Sequence, residues 1–147
     1  MQTVKVCQTR IAGIVRNFFN LSNEHEVSRI QRIRTLSDKP IYFLENFMSL
    51  EVAKHITLEE LSERPILETV KEKLGMVVDR GEMFIESIPA EIDIADILEC
   101  QPFDPLSFVQ IFYWFPSEIP FEVVNCFVRG DYFKYKVDLD AKGFQDI

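Results

Sequence analysis

The sequence is poor in the residues that build metal centres and disulfide frameworks. It has three cysteines (Cys7, Cys100, Cys126) and two histidines (His25, His55). No two cysteines stand in a CxxC spacing, an odd number cannot all pair within one chain, and both histidines lie far from them in sequence. Neither a zinc site nor a disulfide framework is expected, and no residue is assigned as a metal ligand. Reduced thiols suit a cytoplasmic protein. The five glycines form no phosphate-cradling loop, and there is no GxSxG or HExxH, so no cofactor and no catalytic residues are expected. No apolar run reaches the roughly 18 residues of a membrane-spanning helix. The N-terminal MQTVKVCQTR lacks the apolar region of a signal peptide. Basic charge is scarce too. Sixteen Lys and Arg stand against 24 Asp and Glu, a net charge of −8. Such a chain repels phosphate backbones and is not expected to bind DNA by itself.

What is present is apolar and aromatic. Of 147 residues 47% are hydrophobic, 13 of them Phe, enough for one well-packed domain over 1–147. The stretch that organises the chain is Ile30 to Met48. Strand-favouring residues flank Ser37-Asp38-Lys39-Pro40, a turn signal, and the whole reads as a β-hairpin. Strand side chains alternate faces, so Arg32 and Arg34 point the same way, as do Phe43 and Glu45. A turn that sets Arg34 near Ile41 sets Arg32 near Phe43 and puts Glu45 one step further along the same face. Two guanidiniums and a carboxylate would then share an apolar face, which suits a small anion bearing hydroxyls. The competing reading is an ordinary solvated strand face.

Around this hairpin the pattern alternates between the two periodicities. Thr3 to Cys7 reads as a short strand. Ile11 to Leu21 is an amphipathic helix with Ile11, Ile14, Val15, Phe18 and Phe19 on one side. Glu26 to Arg34 and Ile41 to Met48 are the hairpin strands. Leu50 to Leu61 holds short helical pieces, with a capping box at Thr57 and Glu60. Pro65 suits the first turn of a helix carrying Ile66, Val70 and Leu74, closed by Gly75. Val77 to Ile88 is a strand, and a short helix follows, ending near Glu99. Leu106 to Phe115 and Pro120 to Arg129 are strands joined at Pro116-Ser117-Glu118, and Gly130-Asp131 turns the chain into a last strand, Lys134 to Leu139. Antiparallel strands with helices between them give an α+β domain. Glu82 and Glu86 share a strand face, as do Glu122 and Cys126. Paired carboxylates can do acid–base work, but spaced acids on a strand are more often its wet face.

Three of these segments, in this order and spacing, resemble the UTRA domain, the effector-sensing half of HutC-type GntR transcription regulators. They are Arg32-Ile33-Arg34 with Pro40 and Glu45; ILETVKEKLG from Ile66 to Gly75; and PFEVVNCFVRGDYFKYKVDL from Pro120 to Leu139. The resemblance covers roughly Glu26 to Leu139. It implies a chorismate-lyase-like fold, a mainly antiparallel sheet with helices packed against it. It also implies a small anionic effector, often a sugar phosphate, held by Arg32 and Arg34, with Glu45 and Glu122 accepting bonds from ligand hydroxyls. Cys126 and Phe133 fall at ligand-binding positions where the family often has hydroxyl-bearing residues, which tilts the expectation toward a less polar acid. A homodimer is implied, supported by apolar strand residues at Phe108 to Phe115 and Phe127. About 25 residues precede the matched region, too few for a winged helix-turn-helix domain, so DNA would be reached only through a domain this chain lacks. Two alternatives remain: a stand-alone chorismate-lyase-like enzyme and a ligand-free dimerisation module.

Overall fold

The protein, as a computed structural model, is described over residues 2–10, 13–22 and 24–140. Its centre is a six-stranded sheet in the order β1-β2-β3-β6-β5-β4. The strands are β1 (Gln2–Arg10), β2 (Glu26–Leu36), β3 (Lys39–Met48), β4 (Arg80–Pro89), β5 (Pro105–Phe115) and β6 (Ile119–Arg129). Every neighbouring pair runs antiparallel. Among the described residues five α-helices cover it: α1 (Gly13–Phe19), α2 (Leu50–Ala53), α3 (Leu58–Glu63), α4 (Ile66–Leu74) and α5 (Ile92–Leu98). This is the expected α+β architecture.

The helices divide between the two faces of the sheet. On one face α1 sets Val15, Phe18 and Phe19 against Val27, Phe47, Phe112 and Val123. Beside it α5 sets Ala95 and Leu98 against Phe43 and Leu106, with Phe127 at the edge of the cluster. On the other face Leu61, Ile66 and Val70 of α3 and α4 pack on Ile30, Met48, Phe115 and Phe121, with α2 alongside. These last helices cover only one end of that face, and the rest of it is where a cavity forms.

Local chemistry explains the helix ends. Thr57 accepts from the Glu60 amide while Glu60 accepts from the Thr57 amide, the expected capping box. Glu60 also bonds Lys73 of α4 at 2.7 Å; the Lys73 ammonium and the Thr57 amide hold its carboxyl down at about 2. Pro65 stands just ahead of α4 as its N-cap, and Gly75 ends the helix at φ +64°, a conformation that favours glycine.

Two expectations need correction. Residues 134–139 form no strand. Strand β6 already has β3 on one side and β5 on the other, so a hairpin partner following it finds no free edge. The hairpin register is also off by one. Ser37 and Asp38 both take positive φ, 50° and 64°, and make a two-residue turn with Thr35 opposite Pro40. A bulge then follows, so Arg34 faces Tyr42 and Arg32 faces Leu44. Ile41 is the extra residue, placed right after a proline that has no N–H for the ladder. A one-residue slip moves a whole strand's side chains to the other face. The stretch Phe108 to Phe115 belongs to β5, which lies inside the sheet, and Phe127 packs on Phe43 and Phe108. Phe108, Ile111, Trp114 and Phe127 remain partly exposed on the faces of the sheet. Of the expected amphipathic helix, Ile11 lies outside the described residues.

Candidate functional site

The slip at Ile41 decides what stands beside the two arginines. Across the hairpin their face carries Leu44 and Asn46, while Glu45 turns to the opposite face and takes a bond from Gln31 at 3.1 Å and a contact from Arg29 at 3.8 Å. A second bulge sits between β5 and β6. Trp114 faces Pro120, then Tyr113 faces Glu122, leaving Phe121 as the extra residue. Without it Glu122 would stand opposite Phe112, under α1. With it Glu122 joins the face of the arginines. Each bulge follows a proline, and together they aim the polar groups of two hairpins into one space.

That space is a cavity of about 470 Å³. Its floor is the sheet: Arg32, Arg34, Leu44, Asn46, Ile111, Tyr113, Glu122 and Val124. Its wall is the α3–α4 junction from Ser62 to Leu67. The Glu60–Lys73 pair and an Arg64–Glu72 ion pair brace that junction. Arg32 is buried at the floor and donates from Nη2 to the Leu61 carbonyl at 3.3 Å. Burial lowers its pKa, and the charge of Glu122 works the other way. Arg34 is exposed at the rim with its guanidinium over the Tyr42 ring, 5.8 Å from the centroid. Asn46 Nδ2 donates to Glu122 Oε1 at 2.8 Å. Burial pushes the Glu122 carboxyl up to about 7, against the pull of Asn46 and Arg32.

Of the six expected site residues, Arg32, Arg34 and Glu122 line this cavity. Glu45 does not, for the register reason above. Cys126 is on the same sheet face, opposite Leu44, but outside the lining; burial pushes its thiol up to about 12. Phe133 is half-buried beyond the end of β6 and is not part of the lining. Asn46 was missed, and Pro40 was the signal for it: a proline in a hairpin strand marks a bulge, and the shifted register brings Asn46 rather than Glu45 to the arginine face. Glu82 and Glu86 are exposed on the edge strand β4, with Glu82 bonded to Arg80 at 2.9 Å. Among the described residues no group of His, Cys, Asp or Glu could hold a metal ion, and no helix is long and apolar enough to cross a membrane.

The arginine–carboxylate cavity sits on a fold that recurs in solved structures. A GntR-family transcriptional regulator from Enterococcus faecalis superposes with a TM-score of 0.85 at 22% identity, over 94% of this chain and 99% of that one. The ligand-binding domain of a protein described as a GntR-family regulator, from Bordetella bronchiseptica, gives 0.83 at 19% identity, over 95% and 87% of the two chains. The C-terminal domain of YurK from Bacillus subtilis gives 0.82 at 12% identity, over 93% and 94%. At these identities the likeness speaks for the fold. No curated protein matches the sequence. The sequence profile of the UTRA domain matches residues 2–134, a span that takes in β1 and α1 ahead of the segments that first carried the resemblance. The chain therefore belongs to the UTRA domain family.

Proposed function

We propose that this chain is the small-molecule sensing and dimerisation domain of a bacterial GntR/HutC-type transcription regulator, and that it binds an anionic metabolite over Arg32 and Arg34 without catalysis. Family membership supports the regulatory reading. One observation carries the anion: the cavity lining holds three guanidiniums, Arg32, Arg34 and Arg64, against two carboxylates, Glu63 and Glu122, and Arg34 stands exposed at its rim. A guanidinium fork suits a phosphate or carboxylate, and the cavity volume lies in the usual range for small ligands. DNA would be engaged by a separate domain of the regulator, because this chain's charge of −8 opposes it.

The test is calorimetric titration with a panel of phosphorylated and carboxylate metabolites on the protein and two variants. A charged hydrogen bond contributes about 1.5–3 kcal/mol, so Arg32→Ala is expected to weaken binding roughly 10- to 100-fold. Arg34→Lys is expected to weaken it too, since an ammonium makes no fork contact. If Arg32→Ala instead lowers the melting temperature of the ligand-free protein and leaves affinity unchanged, Arg32 is a structural staple and the reading fails.

A further inference from the structure

We infer that the strand-like tail after β6, residues 132–140, pairs with the outer edge of β4 in a second copy of this chain, so that two copies exchange their tails. The inference rests on the dimer reading above and names the contact. The tail has the alternation of a strand. Tyr135, Val137 and Leu139 are 59%, 60% and 44% exposed, and Lys134, Lys136 and Asp138 alternate with them. Residues 133–140 carry no regular structure within their own copy. Strand β4 is the complementary case. It pairs with β5 on one side, and its other side is an edge of the sheet. Such an edge is a row of backbone donors and acceptors that can template another strand.

Charge selects the edge and the register. Arg80 and Glu82 are ion-paired along β4 at 2.9 Å, and Lys136 and Asp138 along the tail at 3.3 Å. Both pairs read basic then acidic along the chain. Antiparallel alignment therefore sets Lys136 opposite Glu82 and Asp138 opposite Arg80. The same register sets Tyr135 opposite Met83, which is 49% exposed, and Val137 opposite Gly81. Opposite charges and apolar side chains facing one another across strands stabilise the pairing. The other edge of the sheet, β1, carries Lys5 and Arg10 but no carboxylate, and offers the lysines of the tail nothing.

Reach makes the partner a second copy. Gly130 donates to the Pro105 carbonyl, and Pro105 lies opposite Pro89, so the tail starts level with the far end of β4. From there, the place opposite Glu82 in the same copy lies back along β4 from Pro89 and three strand spacings across the sheet, about 28 Å in all. The chain from Gly130 to Lys136 spans at most about 21 Å. The edge of another copy is free of this limit, because it can approach the tail.

The test is sedimentation of the full chain with two single charge reversals, Glu82→Lys and Lys136→Glu. Each alone is expected to weaken the dimer roughly tenfold, since each sets like charges opposite one another in both joints. Mixed one to one, the two variants are expected to regain the affinity of the parent. In the mixed dimer the reversed edge of one copy meets the reversed tail of the other, and the two unreversed partners meet likewise. That rescue also shows that both variants are folded. If Lys136→Glu leaves the dimer as tight as before, the contact lies elsewhere, for instance between two β4 edges, and the inference falls. If both variants are weakened and the mixture stays weak, the tails do not cross between copies, and it falls again. The dimer reading stands in both cases. A parent that is monomeric at micromolar concentration removes the dimer reading and this inference together.

Discussion

Glu122 is 2% exposed, and its surroundings make its charge expensive. Desolvation raises its pKa from 4.5 to about 7, with Asn46 and Arg32 opposing. A carboxyl whose pKa is raised on folding binds its proton more tightly in the folded state. Its contribution to stability is therefore present in full below about pH 4.5 and is lost as pH rises through about 7. The expected result is that the melting temperature of Glu122→Gln gains on that of the parent as pH rises across this window. Melting curves at several pH values check it, and parallel curves would contradict it. At this scale the sequence was legible where alternation decides: Arg32 and Arg34 do share a face. It was not legible where a bulge intervenes. Glu45 and Asn46 are adjacent in sequence, and only the extra residue at Ile41 determines which one joins the arginines.

The C-terminal Arg129-Gly130-Asp131 segment shows what an element-level motif can be for. Arg129 Nη1 lies 3.4 Å from each of the Leu98 and Glu99 carbonyls at the end of α5, and its fork takes both Asp131 oxygens at 3.1 and 2.9 Å. The motif ties a helix end to the sheet corner where β6 finishes beside the start of β5. Gly130 is required by space: a Cβ there would meet the Pro105 carbonyl oxygen at 2.7 Å. Forcing in that methyl is expected to cost about 1–3 kcal/mol, so Gly130→Ala should lower the denaturation midpoint without touching the cavity. A midpoint equal to the parent's would show that the corner yields freely. The helices were legible from their caps and apolar stripes, as Thr57, Glu60 and Gly75 show. The last expected strand failed because pairing depends on which sheet edges are free, and strand order is not written in any local pattern.

On the scale of the whole molecule, the sheet order leaves β4 at an edge. Its ten residues expose Met83, Phe84 and Ile85 at 49%, 51% and 40%. A long apolar edge strand is a template for pairing with another chain, and twofold closure is the commonest way to cover one. The edge of β4 is a candidate dimer contact beside the apolar residues of β5. Sedimentation at micromolar concentration is expected to show a dimer that Phe84→Glu dissociates; a monomer in both would sink the dimer. The arginine cavity has a direct test of its own. Crystals of the protein soaked in tungstate, a heavy tetrahedral oxyanion, report by anomalous scattering where an anion settles. The peak is expected in the cavity, against Arg32 and Arg34 beneath the α3–α4 junction. An empty cavity, with the anion bound instead at Arg29 or Arg129, would contradict it.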